Sequence, residues 1–192
     1  MDKGACDAMG LTIAISGLHG AGTTTVAQAL AETFNLRYLS AGMIFRQLAK
    51  EKGMSLSAFS KLAEQNPQID QEIDDRTQRE AEVGDVVIDA YIAGWVARRH
   101  ADLAIYLLAP LEVRALRIAN RESRPYEEIL EETLIREESE RDRFQEFYGI
   151  DVTDTHLFDL VLNTDRFNAV ATISICTAAV KAYLTSSGET SE

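Results

Sequence analysis

The amino-acid sequence predicts an α/β three-layer sandwich around a five-stranded parallel sheet, and three observations point to it. Short apolar runs rich in β-branched or aromatic residues recur at 11–16, 37–40, 86–89, 103–108 and 159–164. Amphipathic stretches at helical spacing separate them. Continuous apolar runs belong to strands buried on both faces, the condition of a parallel sheet covered by helices. The third observation is "IAISGLHGAGTT" at 13–24, where Gly17, Gly22 and Thr24 take the spacing of a phosphate-binding loop (P-loop) set directly between a strand and a helix.

Each element carries its own signal. "LTIAIS" opens the sheet, and in "TTTVAQALAETF" Val26, Leu30 and neighbouring alanines share one helical face. After "RYLS" three helices are expected between 41 and 84. They are "GMIFRQLAKEK", ended by Gly53; "SLSAFSKLAEQ", capped by Ser55 and stopped at Asn66-Pro67; and "IDQEIDDRTQREAEV", ended by Gly84. "VVID" ends on Asp89, whose carboxylate suits either the waters of a Mg²⁺ ion or the N-cap of a helix over 91–99. "LAIYLL" leads into a helix from Leu111 on which Leu111, Ala115 and Ile118 face the core. Arg114, Arg117 and Arg121 form a second stripe there, expected to point away from the packing. A charged helical insert spans 121–148, "DLVLNT" supplies the last strand, and the tail "SSGETSE" reads as a solvated, frayed end.

Bulk properties narrow the function classes. A chain of 192 residues with 46% hydrophobic and 26% charged residues suits one folded domain with a sizeable core. The 31 acids against 19 bases give a net charge of -12, which argues against nucleic acid or a membrane surface as partner. A small anionic ligand must then be gathered by a local basic cluster. Cys6 and Cys176 have no metal-ligand or disulfide pattern, which fits a reducing cytosol. The opening "MDKGACDAMG" lacks the apolar stretch of a secretory signal, and no apolar run approaches the roughly 18 residues of a membrane span. The expectation is a cytoplasmic monomer whose partners are small molecules.

The loop has one anomaly: Thr23 stands where a P-loop carries lysine. Glycine-rich backbone N–H groups, the helix N-terminus and a Thr24 hydroxyl ligating Mg²⁺ still suit phosphate. One charge-assisted hydrogen bond is worth about 1.5 to 3 kcal/mol, so a missing lysine can be compensated by arginines placed on the phosphates. Arg114, Arg117, Arg121, Arg124, Arg136, Arg141 and Arg143 all fall between 114 and 143, a stretch without lysine. Arg124 and Arg136 fit equally well the Glu/Arg pairing of a solvated helix. His19, at a variable loop position, reads as solvated or as an imidazolium touching phosphate. His100 and His156 lack partners at ligand or dyad spacing, and Trp95 reads as a packing anchor.

With the P-loop, "SAGMIFRQLAKEKGMSLSAFSKLAEQNPQID", "AGW", "APLEVRALRIANRE", "REESERDRFQEFYGID" and "DLVLNT" in order, the chain resembles the archaeal type of cytidylate kinase over about residues 11–184. The resemblance implies a three-layer P-loop nucleoside monophosphate kinase in a single domain. Its CORE would be 11–40, 85–120 and 151–185, its NMP-binding insert 41–84 and its mobile LID about 121–150, with tails at 1–10 and 186–192. It implies transfer of the γ-phosphoryl group of ATP to CMP or dCMP with Mg²⁺. By matched position, Gly17, Leu18, His19, Gly20, Ala21, Gly22, Thr23, Thr24 and Thr25 would bind ATP. Arg117 and Arg121 would reach its phosphates from the base of the LID.

Ser40 and Arg46 would hold the monophosphate, Arg46 gripping its phosphate. Arg141 and Arg143, with Glu140 beside them, resemble LID residues that close over donor and acceptor and would replace the lysine. Thr24 and, through water, Asp89 would serve Mg²⁺. One position departs: where the family reads Glu-Gly-Arg before "LAGW", this chain has Asp89-Ala90-Tyr91 before "IAGW". Tyr91 can stack on a base or donate one hydrogen bond but cannot form a charged fork. A kinase of the same fold for AMP, UMP or a small hydroxyl metabolite, and a degenerate nucleotide-binding regulator, remain open beside the CMP reading.

Overall fold

The computed structural model describes residues 10–63 and 65–189; Cys6, the rest of the opening segment and the last three residues lie outside them. Five strands form one parallel sheet: β1 (Thr12–Gly17), β2 (Arg37–Ser40), β3 (Val86–Asp89), β4 (Leu103–Leu108) and β5 (Leu160–Asn163). Their spatial order is β2-β3-β1-β4-β5. β1 and β3 are buried at every residue, as strands covered on both faces must be. On one face α1 (Thr23–Phe34) and α8 (Ala169–Glu189) pack Val26, Leu30, Cys176 and Val180 against Ile13, Ile15, Ile105 and Leu107. On the other, Ala81 of α4 (Pro67–Val83), Ala93 of the α5 segment (Ala93–Val96) and Ala97, its C-cap, meet Ala14, Val86 and Ile88.

The register positions the site. Asp89 pairs with Ile15 on one side and with Ser40 on the other, so the carboxyl ends of β1, β2 and β3 lie side by side at one sheet edge. The loop after β1 needs its glycines: a Cβ on Gly20, whose φ is +82, would sit 2.7 Å from the Arg114 carbonyl oxygen.

The three helices between β2 and β3 are α2 (Ala41–Glu51), α3 (Leu56–Ala63) and α4. Ser40 caps α2 by accepting from the Met43 N–H, Ser55 accepts from the Ala58 N–H, and Asn66 caps α4 with Pro67 in its first turn. Between β4 and β5 lie α6 (Leu111–Glu122) and α7 (Tyr126–Tyr148), separated by a left-handed Ser123. Trp95 packs edge-on to Tyr106 and Phe158, as an anchor should.

Four expectations are corrected. Asp89 does not cap a helix: α5 begins at Ala93 behind Ile92 and has no side-chain cap. The tail is not frayed from 186, because α8 runs to Glu189. Ala169–Ser187 is long and apolar enough to cross a membrane by length and composition, at mean hydropathy 1.3. Its interspersed Thr and Ser had broken the apolar runs, and one face, with Cys176 and Val180, is committed to the core. Arg114 does not point outward; it is 3% exposed.

Candidate active site

A cavity of about 480 Å³ opens where the sheet's carboxyl edge meets the helical inserts. Its floor is the P-loop from Gly17 to Thr24 together with Asp89. Ser40 to Gly42, Asp70, Ile73 and Asp74 form one wall. Arg121, Glu132, Arg136, Glu140, Arg143 and Phe144 form the other, with Tyr91 between the two.

At the floor, the Thr24 hydroxyl donates to Asp89 Oδ2 at 2.7 Å, and the Tyr38 hydroxyl donates to the same oxygen at 3.0 Å. Asp89 is only 7% exposed, so this is a held carboxylate beside the start of a helix. Hydroxyl and carboxylate oxygens are the donors a hard cation takes, and Mg²⁺ bound with phosphates needs only one or two from protein. The residues present therefore fit Mg²⁺.

The P-loop is gripped from α6 and α7. Arg114 donates from Nε to the Ala109 carbonyl at 2.8 Å and from Nη1 to the His19 carbonyl at 3.0 Å, and its fork pairs with Glu137, with Nη2 to Oε2 at 3.1 Å. His19 is not left to solvent: its Nε2 lies 2.7 Å from Glu140 Oε2, and its ring stands edge-on to Tyr91. Burial pushes the Glu140 carboxyl up, but the hydrogen bond and charge of His19 together with Arg136 outweigh it and hold the group below the usual glutamate range.

The arginines divide into three sets. Arg121, Arg136 and Arg143 line the cavity, and each is met by a carboxylate: Glu122 at 2.7 Å, Glu140 at 2.9 Å and Asp70 at 3.3 Å. Arg117 lies beneath the loop, donating to the Gly20 carbonyl and to both oxygens of Thr164. With Ala21, Gly22, Thr25, Phe167 and Asn168 it lines a separate cleft of about 240 Å³. Arg141 and Arg46 stand outside the main cavity. Arg141 lines a pocket on the far side of Tyr91 with Tyr106 and Val152, whereas Arg46 is exposed on α2 beside Gly42.

The profile of the cytidylate kinase-like family matches residues 12–166. The chain belongs to that family. A cytidylate kinase from Staphylothermus marinus is 44% identical over 174 residues, covering 91% of this chain and 98% of the relative. One from Ignicoccus hospitalis is 50% identical over 152 residues, covering 79% and 88% respectively. Among solved structures, shikimate kinase from Bacteroides thetaiotaomicron is similar with TM-score 0.60 at 15% identity, covering 89% of this chain and 98% of its own. An uncharacterized protein from Eubacterium ventriosum is similar with TM-score 0.68 at 14% identity, covering 89% and 98%. Likeness at such low identity speaks to the fold alone, and the fold it shows is the three-layer P-loop kinase architecture.

Within this cytidylate kinase-like chain, sequence reasoning missed Asp70, Asp74 and Phe144 and left Arg136 open between the site and solvated pairing; 129, 133, 136, 140 and 143 share one helical face that turns toward the cavity. Asp70 and Asp74 carry no signal of their own within "IDQEIDDRTQREAEV", and Phe144 none within the charged insert. Of the three carboxylates that meet the cavity arginines, Glu140 was expected at the site, whereas Asp70 was not, because it joins Arg143 from a distant part of the sequence.

Proposed function

We propose that the chain transfers the γ-phosphoryl group of ATP to CMP or dCMP, giving ADP and CDP or dCDP, in a Mg²⁺-dependent reaction. One observation carries the reading: a single cavity runs from the P-loop to Ser40 and α4, so donor phosphate and acceptor share one space in a family whose curated relatives are cytidylate kinases. The cleft of Thr25, Arg117, Phe167 and Asn168 receives the ATP base, and the N–H groups of 18–24 hold its phosphates. Thr24 and Asp89 would hold Mg²⁺, which when bound neutralises charge on the phosphate oxygens.

The chain's own work is alignment and charge. Arg121, Arg136 and Arg143 turn from their carboxylates to the transferring group, an exchange of one anion for another, and so supply the cations that Thr23 cannot. Ser40 and Arg46 hold the acceptor, α7 acts as the LID, and Arg141 and Glu140 take their final places as it closes. Closure excludes water, so the phosphate of CMP is favoured over hydrolysis. The net charge of -12 argues against nucleic acid or a membrane surface as partner, and we place the protein in the cytoplasm as a monomer acting on small nucleotides.

A coupled assay with ATP, Mg²⁺ and each nucleoside monophosphate tests this. CMP and dCMP are expected to drive ADP release. Turnover confined to another acceptor would move the assignment within the fold, and nucleotide binding by calorimetry without product would make the chain a regulator.

A further inference from the structure

β2 and β3 run parallel with Tyr38 opposite Val87 and Ser40 opposite Asp89. Side chains alternate along a strand, so Tyr38 shares a sheet face with Ser40 and Asp89, and its long ring carries the hydroxyl one pair further, to the carboxylate. That hydroxyl donates to Asp89 Oδ2 at 3.0 Å, the oxygen that also takes the Thr24 hydroxyl at 2.7 Å. Both bonds fall on one oxygen, and Oδ1 accepts none from the described residues. The Tyr38 ring packs against the core that α1 and α8 make with the sheet, and Tyr38 does not line the cavity. Packing alone would be served by phenylalanine, whereas a phenol hydroxyl drawn out of water must be matched by an acceptor. The acceptor it meets is the carboxylate at the floor of the site.

A carboxylate held by a single donor turns about its broad terminal torsion and interchanges its oxygens. Two donors converging on Oδ2 from separate elements, α1 and β2, remove that freedom. We propose that Tyr38 is a positioning residue for the cation site: it fixes Asp89 so that Oδ1 is the oxygen left for the waters of Mg²⁺, while Thr24 keeps its own hydrogen bond to Oδ2. The inference rests on the kinase reading, in which Thr24 and Asp89 hold Mg²⁺, and adds the residue that sets the carboxylate before the nucleotide arrives. Tyr38 acts through Asp89 alone. Partners of this kind, one step removed from a metal, govern its affinity by about tenfold to a hundredfold.

The test is Tyr38→Phe, which keeps the ring and its packing and removes only the hydroxyl. Mn²⁺, which takes the same oxygen donors as Mg²⁺, is titrated into the ADP-bound protein and followed by electron paramagnetic resonance, for the intact chain and for Y38F. Y38F is expected to weaken Mn²⁺ binding by about tenfold or more and to raise the Mg²⁺ concentration for half-maximal turnover by a similar factor. The KM for CMP and the calorimetric affinity for metal-free ADP should stay unmoved. A hydroxyl that serves only the fold would lower the denaturant midpoint of Y38F and leave its Mn²⁺ affinity at the value of the intact chain, which overturns the proposal. So does a loss of kcat that saturating Mg²⁺ fails to relieve while Mn²⁺ affinity holds. Should the intact chain with ADP bind Mn²⁺ no more tightly than ADP alone, there is no cation site for Tyr38 to order and the proposal falls. A chain that makes no diphosphate from any monophosphate fails at the kinase reading instead, and the Mn²⁺ titration still decides whether Tyr38 sets Asp89.

Discussion

Asp74 sits in the cavity wall with the Tyr148 hydroxyl beside it and Asp70 one turn away, and burial, aided by the charges of Asp70 and Asp75 and opposed by the Tyr148 hydrogen bond, pushes its carboxyl up to about 6. A group raised in the folded state binds its proton more tightly there than when unfolded. Its contribution is therefore fully present below the ordinary aspartate value and is lost as pH rises through about 6. Asp74→Asn should stabilise the nucleotide-free protein by about 1 to 3 kcal/mol at pH 8 and by almost nothing at pH 4, measured as urea midpoints at both values. At the floor of the site, Asp89→Asn keeps the hydrogen bonds of Thr24 and Tyr38 available but removes the charge. It should lower kcat by about a hundredfold in the coupled assay while the fold, followed by circular dichroism, stays intact. Residues such as Thr24 and Asp89 were legible because each ends or follows a recognisable run. Arg114 was not: its spacing from Arg117 and Arg121 gave a surface stripe, and only the approach of α7 and the P-loop turned it into a buried strut.

Among the elements, α7 carries the most consequence and was the hardest to orient. Its Glu and Arg residues are spread around it, and apolar Leu134, Ile135 and Phe147 are exposed, so no single apolar stripe told which side meets the protein. The structure resolves the matter through Ile129, Thr133 and Phe144, the residues buried along it. Removing Glu137 would leave the Arg114 guanidinium, whose side chain is 4% exposed, with two carbonyls but no counter-charge. Glu137→Ala is expected to cost about 2 to 4 kcal/mol, read from the denaturant midpoint, and to loosen α7 from the P-loop. The face assignment also ranks the arginines. Arg136→Ala, which empties a place in the cavity wall, should reduce kcat more than Arg141→Ala, which alters the pocket behind Tyr91; the reverse order would mean that α7 rotates on closing. Strands and the helices α1 to α4 needed no such arbitration, since each was bounded by a run, a cap or a glycine that survives in the fold.

Across the whole molecule, the parallel order β2-β3-β1-β4-β5 brings together Ser40, Asp89 and the P-loop, and the inserts after β2 and β4 close over them from opposite sides. That gathering is what the alternating pattern foretold. What it could not foretell are contacts between distant parts, such as His19 with Glu140 or Arg143 with Asp70, because no local pattern records which side chains meet across a cleft. Amide exchange should register the same division. With ATP and CMP present, protection is expected to rise along 126–148 and 67–83 and to stay unchanged in β1 and β3, whose burial is complete without ligand.

Thr23 folds its methyl group back toward Gly17, where an added Cβ would lie only 2.9 Å from it, and among the described residues no lysine lines the main cavity. Reagents that acylate or reductively alkylate primary amines therefore have no target there and should spare turnover. Arylglyoxals, which condense with guanidino groups, should abolish it, and bound nucleotide should shield the protein from them.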